Sequence, residues 1–221
     1  MTQPLAPVNK SRSPKTRIES LTDLIFGLAL SIGAVSLLSK PPSSPANVIT
    51  DLAGFGFSFL ILISIWFLYT NIMSVLPVET SGTMFLNVMM LFLVSIEPYL
   101  LSLLVLGSFQ AGVAVLIFAS EAYAFDLAGL TAIMGLLAHQ LTIEDRKLVE
   151  PELVSRYRRI RNVQYFAAIL FAASALPPFW SWEIIGRPVR FYLWYAILAT
   201  SWISRLTGRY KRVGSQRLKH N

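Results

Sequence analysis

The chain has 221 residues, of which 54% are apolar and only 14% are charged, and its mean hydropathy is +0.57. Soluble domains carry roughly 25% charged residues, so this composition predicts a protein embedded in lipid. The formal charge of +7 comes from basic residues that flank apolar segments, a pattern that argues against nucleic acid as a partner. The absence of cysteine excludes disulfides and thiolate catalysis, and two isolated histidines predict no metal site and no cofactor.

Six apolar segments follow one another between clusters of charge and proline. The first is long enough to cross a bilayer core of about 30 Å, which argues against a cleaved signal peptide. The pattern predicts an all-α polytopic membrane protein, with one six-helix membrane domain over 1–221, a basic N-terminus over 1–17 and a basic tail over 207–221. The predicted transmembrane segments are 18–38, 51–75, 84–106, 112–138, 164–182 and 189–206.

The distribution of basic residues predicts the orientation. With a cytoplasmic N-terminus, 16 of the 19 basic residues fall on the inner side, and only Lys40, Arg187 and Arg190 fall outside. This asymmetry is what the positive-inside rule expects. We therefore predict a multi-pass protein of the cell membrane, surrounded by lipid, with both termini in the cytoplasm and the charged segment 139–163 as a solvated connector.

Four carboxylic acids lie within the apolar segments, namely Asp23, Glu97, Glu121 and Asp126. An ionisable group at membrane depth costs about 2.5–3.5 kcal/mol on insertion scales, so each needs a partner or a polar cavity. Glu97 precedes Pro98 in mid-helix, and two roles stay open for it: a hydrogen-bonded core residue, or a cation or proton site. Glu121 and Asp126 are five residues apart and do not share one helix face.

The start of the first segment carries a motif, in which Arg17 is followed after three residues by Leu21, Thr22 and Asp23. It resembles the first-helix signature of the transmembrane protein 175 family of potassium channels, which has Phe-Ser-Asp after the same spacing. Ser58-Phe59 with Trp66 resembles that family's second helix, and 87–98 resembles its third. That family usually has a histidine shortly after this tryptophan, whereas this chain has Tyr69-Thr70-Asn71.

The resemblance implies a pore lined by the first helix of each subunit in a homotetramer, with potassium as the permeant ion. Counting from Asp23, it implies that Leu28 forms the constriction, with Ser31, Ile32 and Val35 on the same face. It further implies no carbonyl selectivity filter, and the sequence contains no Thr-Val-Gly-Tyr-Gly segment. A polar network that supports the pore helix is implied for Arg17, Thr22, Asp23, Trp66 and Asn87.

Three other interpretations remain open. The aliphatic residues of the first helix would instead pack against neighbouring helices, aided by small residues such as Gly27 and Ala29. The intramembrane acids Glu97, Glu121 and Asp126 would serve a proton-coupled secondary transporter. A non-conducting scaffold or an intramembrane enzyme is the third, but no metal triad, Ser-His pair or cofactor motif supports catalysis, so we predict that the protein is not an enzyme.

Overall fold

The computed structural model describes residues 14–38, 44–76, 80–105, 112–143, 148–149, 151–200 and 202. Within these ranges, five long helices are followed by a single helical turn, a two-stranded hairpin and one more helix. The elements are α1 (Pro14–Ser36), α2 (Pro45–Met73), α3 (Ser81–Val105), α4 (Val113–Gln140), α5 (Pro151–Ser174), α6 (Pro178–Ser181), β1 (Glu183–Ile184), β2 (Arg187–Pro188) and α7 (189–200).

Local sequence explains where α2 begins and how α3 crosses its proline. The Ser44 side chain accepts a hydrogen bond from the Asn47 backbone N–H at 3.3 Å, and Pro45 occupies the first helical position, where a missing N–H costs nothing. Pro98 lies inside α3 without ending it. Because proline has no N–H, it cannot donate to the Val94 carbonyl, so the helix loses one backbone hydrogen bond there.

Among the described residues, four helices are long and apolar enough to cross a membrane: α1, α2, α3 and α4. Helix α1 packs against α3 and α2, while α4 packs most extensively against α5 and α3. The core between them is built from large apolar side chains of several helices, among them Phe26, Ile65, Val94, Leu130 and Phe171. The bundle therefore buries α4 near its centre and leaves α1 at its edge.

The helical class is confirmed, but the region after α4 differs from the prediction. The fifth predicted segment, 164–182, does not coincide with one helix, because α5 begins at Pro151 and ends at Ser174. Hydropathy missed the beginning of α5, since residues 151–163 are rich in arginine yet helical. The helix ends just before Pro177 and Pro178, which cannot continue it.

The hairpin β1–β2 is an addition that the all-α prediction did not include. Its strands pair antiparallel, with Ile184 opposite Arg187. The two residues between them, Ile185 and Gly186, both have positive φ, at 52° and 69°, as a two-residue hairpin turn of right-handed twist requires. The hairpin turns the chain from α6 into α7.

Candidate functional site

Helix α1 has one face covered by the rest of the chain and one face uncovered. Thr22, Phe26 and Ala29 are almost fully buried against the bundle. On the opposite side, Leu28 is 56% exposed and Val35 is 62% exposed. Asp23, Gly27 and Ala34 are also exposed, but at about 100° per residue six other exposed residues share one stripe, which we call the aliphatic face: Leu21, Leu24, Leu28, Ser31, Ile32 and Val35.

The aliphatic face carries one hydroxyl group at mid-helix. Ser31 Oγ donates a hydrogen bond to the Gly27 carbonyl oxygen at 2.8 Å, which satisfies its hydrogen within the helix. Its oxygen lone pairs stay available to a ligand at the exposed surface, because a hydroxyl is one donor and two acceptors. The stripe thus combines bulky aliphatic groups with a single oxygen ligand, one turn after Leu28.

Asp23 lies outside the aliphatic face and joins α1 to α2. It is five residues before Leu28, which places it about 140° around the helix. Trp66 Nε1 donates to Asp23 Oδ1 at 2.8 Å, so the indole fixes the carboxylate against α2. This geometry suits a residue that orients α1, since the bond fixes the rotation of α1 about its own axis.

Thr22 and Asn87 belong to a second polar contact, which is buried. Thr22 Oγ1 donates to the Ile18 carbonyl at 2.9 Å and lies 3.3 Å from the Tyr69 hydroxyl. Asn87 is a neighbour of the same hydroxyl and does not bond Asp23, and its Oδ1 has no partner among the described residues. Arg17 belongs to α1, but its side chain lies outside the described part of the chain.

Glu97 is fully buried and binds two hydroxyl donors from neighbouring helices. Ser58 Oγ of α2 donates to Glu97 Oε2, and Tyr123 OH of α4 donates to Glu97 Oε1, both at 2.8 Å. The three side chains join α2, α3 and α4 inside the bundle. Of the two roles left open for Glu97, this geometry is that of a hydrogen-bonded core residue.

Asp126 is the least satisfied of the buried acids. It is 3% exposed, and neither carboxyl oxygen has a hydrogen-bond partner in the part of the chain that the structure describes. Glu121 is only half-buried on the same helix. Within the described ranges no group of three or more acidic or histidine side chains is placed to hold a metal ion.

Arg190 is a buried cation, although the charge distribution placed it on the outer side of the membrane. Its guanidinium donates to the Ser174 carbonyl at 2.6 Å and to the Ala175 carbonyl at 2.9 Å, and it also bonds Ser120 Oγ. Those carbonyls end α5, where the helix leaves backbone acceptors unpaired and the dipole favours a positive charge. Arg190 therefore caps α5 from the start of α7.

Three residues make polar contacts to which the sequence analysis assigned no role: Tyr69, Tyr123 and Arg190. The signal available for Tyr69 was its place after Trp66, where the resembled family has histidine. Tyr123 lies three residues before Asp126, so one turn of α4 carries both side chains. Nothing in the sequence identified which helix each side chain contacts.

Comparison with known proteins supports the first-half motifs and the overall fold. The model of the family described as endosomal/lysosomal potassium channel TMEM175 matches residues 17–98. The fold is similar to the crystal structure of a lysosomal potassium-selective channel TMEM175 homolog from Chamaesiphon minutus, with a TM-score of 0.61 and 17% identity. The match covers 86% of this chain and 96% of that one. No curated protein matches the sequence.

The resemblance drawn from Arg17 to Pro98 is thereby confirmed. The match spans α1, α2 and most of α3, including the Asp23–Trp66 contact and the aliphatic face. Four helices of membrane-spanning length accompany it. The chain is a multi-pass helical membrane protein whose residues 17–98 match the TMEM175 potassium-channel family and whose fold resembles that of a channel from it.

Proposed function

We propose that the protein is a potassium-preferring cation channel of the cell membrane, assembled as a homotetramer around a pore lined by α1. The observation that carries the proposal is the aliphatic face, which no other part of the described chain covers and which lies inside the matched segment. One copy of α1 cannot enclose a path. Several copies related by rotation enclose one, and closed symmetry is the usual arrangement of such assemblies.

The constriction is a ring of Leu28 side chains, one from each subunit. A narrow apolar ring closes a water path by dewetting, and Ile32 and Val35 extend it by one and two turns. Ser31 supplies one hydroxyl oxygen per subunit next to the ring, which offers a weak ligand to a partly dehydrated cation. Without a ring of backbone carbonyls, the preference for potassium over sodium is modest.

The topology that suits this pore has six spans and cytoplasmic termini. Helix α5 has 24 residues, which span about 36 Å, the length of a bilayer crossing, although four arginines lie at 156–161 in its first half. Helix α7 is the sixth span. Asp23, Trp66 and Thr22 then hold the cytoplasmic end of α1 against α2, and the bound Asp23 sets which face of α1 meets the pore axis.

Single-channel recording with matched variants tests the proposal. Purified protein in a planar bilayer under a potassium gradient is compared with Leu28→Ala and Leu28→Asn, which widen the ring and make it wettable. The control is Leu52→Asn on α2, because Leu52 has almost the same exposure, 55% against 56%. Larger unitary currents in both Leu28 variants, with Leu52→Asn unchanged, are the expected result.

Two results contradict the proposal. The recording is made at both voltage polarities. If the wild-type protein shows no unitary currents at either polarity, the channel proposal is wrong. If Leu28→Asn and Leu52→Asn change the current equally, Leu28 does not form the constriction. The oligomer mass in detergent, measured by light scattering, separately tests the tetramer.

A proton-coupled transporter is the second candidate, favoured by one observation. Asp126 is buried without a partner near Glu97, and such acids are typical of proton relays in transporters. A transporter gives flux that saturates with potassium and stops without a proton gradient, and it gives no unitary currents. In that case Asp126→Asn abolishes flux, whereas in the channel it leaves the unitary current unchanged.

A further inference from the structure

A groove on the side of the bundle formed by α2, α4, α5 and α7 is separate from the proposed pore face. It has a volume of about 370 Å³, and each of the four helices contributes apolar side chains to its wall, such as Ile65, Leu127, Phe171 and Ile197. Its polar groups are few, and Thr131 and Thr200 already donate to carbonyls of their own helices. The groove is therefore suited to a hydrocarbon ligand.

The wall that α5 gives to the groove begins at Val163, close to one end of the bundle, and three contacts identify that end. Tyr157 OH of α5 donates to the Asn71 carbonyl at the end of α2, at 3.5 Å. Arg161 Nη1 lies 3.3 Å from His139 Nδ1 and 3.4 Å from Thr142 Oγ1, at the end of α4. The beginning of α5 thus meets the ends of α2 and α4. Val163 and Gln164, which line the groove, follow directly after.

The same end of the bundle carries an excess of positive charge. Four arginines lie within 156–161; Glu150 and Glu152 precede them, and no acidic residue follows between 153 and 182. Helical spacing separates them into two pairs. Arg156 and Arg159 precede Val163 by seven and four residues, so they share the groove's face of α5, and both are exposed. Arg158 and Arg161 point to other sides of the helix.

An acyl chain alone gains little from an apolar groove in a bilayer, because lipid tails are as apolar as leucine side chains. Selectivity for one class of lipid therefore has to come from contacts between the protein and a charged head group. Basic residues beside a groove between membrane helices attract anionic lipids by about 1 kcal/mol each. Arg159 and Arg156 lie about 6 and 10 Å along α5 from Val163, which is within the reach of a glycerophosphate whose chain enters the groove.

We infer that this groove binds one acyl chain of an anionic phospholipid, whose phosphate is held by Arg156 and Arg159. The site combines an apolar wall from four helices with two arginines at its mouth. Occupation fills a void between α2, α5 and α7 and so recovers dispersion contacts that an empty groove lacks. The inference is independent of conduction, because none of these residues lies on α1.

Native mass spectrometry of the full-length protein tests it. The protein is equilibrated in detergent with equal amounts of phosphatidylglycerol and phosphatidylcholine carrying the same acyl chains, and the retained lipid is identified. Wild-type protein retains phosphatidylglycerol preferentially. Arg159→Gln lowers that preference on the order of fivefold, whereas Arg158→Gln, which removes the same charge one residue away on another face, leaves it unchanged.

A second pair of variants tests the groove itself. Ala167→Trp places a large ring in the groove and abolishes retention of either lipid, while Ile169→Trp on the exposed side of α5 does not. Equal retention of the two lipids by wild type, or equal losses in Arg159→Gln and Arg158→Gln, overturns the inference. So does a change of oligomer mass in Ala167→Trp, because a second copy of the chain then fills the groove.

Discussion

Helices α1 and α4 are equally hydropathic over their membrane-spanning parts, yet the fold treats them in opposite ways. Only 22% of the α1 span is buried by the chain, against 44% of the α4 span. Their polar residues differ in the same sense: Ser31 is exposed on α1, whereas Asp126 is buried in α4. Hydropathy therefore identifies both helices as spans, but only packing shows that α1 keeps a free aliphatic face.

The contrast separates stability from conduction. Substitutions in or around α4 disturb the interior of the protomer, so they lower the free energy of unfolding. Side chains on the aliphatic face of α1 are covered only in part by the same chain, so substitutions there change that free energy little and, in the proposed channel, act on the pore. Four substitutions test this separation, in order of their expected effect on unfolding.

Of these four, Arg190→Ala is expected to have the largest effect, because it removes the cap of α5 beside α4; only the comparison variant Leu130→Ala, described below, is expected to reach or exceed it. The Ser174 and Ala175 carbonyls and Ser120 Oγ lose their donor in a buried place, at a cost of about 3 kcal/mol. Titration with a denaturing detergent, followed by circular dichroism, measures the change. Arg187→Ala on the exposed hairpin is the control, with an expected change below about 0.5 kcal/mol. Equal effects would mean that burial of Arg190 contributes nothing.

A smaller loss is expected from Gly135→Ala in α4, compared with Gly27→Ala in α1. A Cβ at Gly135 would lie 2.6 Å from the Tyr165 ring, so this ring, or α5 with it, must shift, at about 1–3 kcal/mol. A Cβ at Gly27 meets nothing within 4 Å, so that variant keeps or slightly raises stability. The same detergent titration compares them. If Gly27→Ala proves to be destabilised, the added methyl group must meet another subunit that packs against α1 at that position.

How much of this was predictable depends on the helix. Hydropathy located α1 to α4 within about six residues, because each is a long apolar run bounded by charge, by proline or, between α3 and α4, by Gly107 and Gly112. It misplaced the fifth segment, since an arginine-rich helix and an apolar helix differ in hydropathy and not in backbone structure. It also omitted the hairpin, whose turn depends on the positive φ of Ile185 and Gly186.

The side-chain partners were less predictable than the spans. The family resemblance placed Asp23, Trp66 and Asn87 in one polar network but left open whether Trp66 or Asn87 bonds Asp23. Tyr123 with Glu97, and Arg190 with the end of α5, depend on how α3, α4 and α7 rotate about their axes. A single sequence without a clear internal repeat does not allow these helix rotations to be predicted.

A change of about 1 kcal/mol is expected from Trp66→Phe, which keeps the ring and removes the donor to Asp23. The contact lies at an exposed edge between α1 and α2, so water replaces part of the lost bond. Asp23→Asn keeps an acceptor oxygen and costs less, which makes it the matched comparison. The order of the two stabilities is measured by the same titration. A larger loss in Asp23→Asn would mean that a partner other than Trp66 holds the carboxylate.

The smallest effect on unfolding, and the sharpest test of the contrast, is Leu28→Ala. Leu28 is 56% exposed within its own chain, so its truncation costs the protomer less than about 0.5 kcal/mol. Leu130→Ala in α4 removes a fully buried side chain of the same size and costs about 2–5 kcal/mol. Detergent titration gives both values, and bilayer recording gives the current of Leu28→Ala. A pore residue changes the current without changing stability. If Leu28→Ala instead destabilises the assembled protein as much as Leu130→Ala, Leu28 is packed between subunits, and the open path must follow another face of α1.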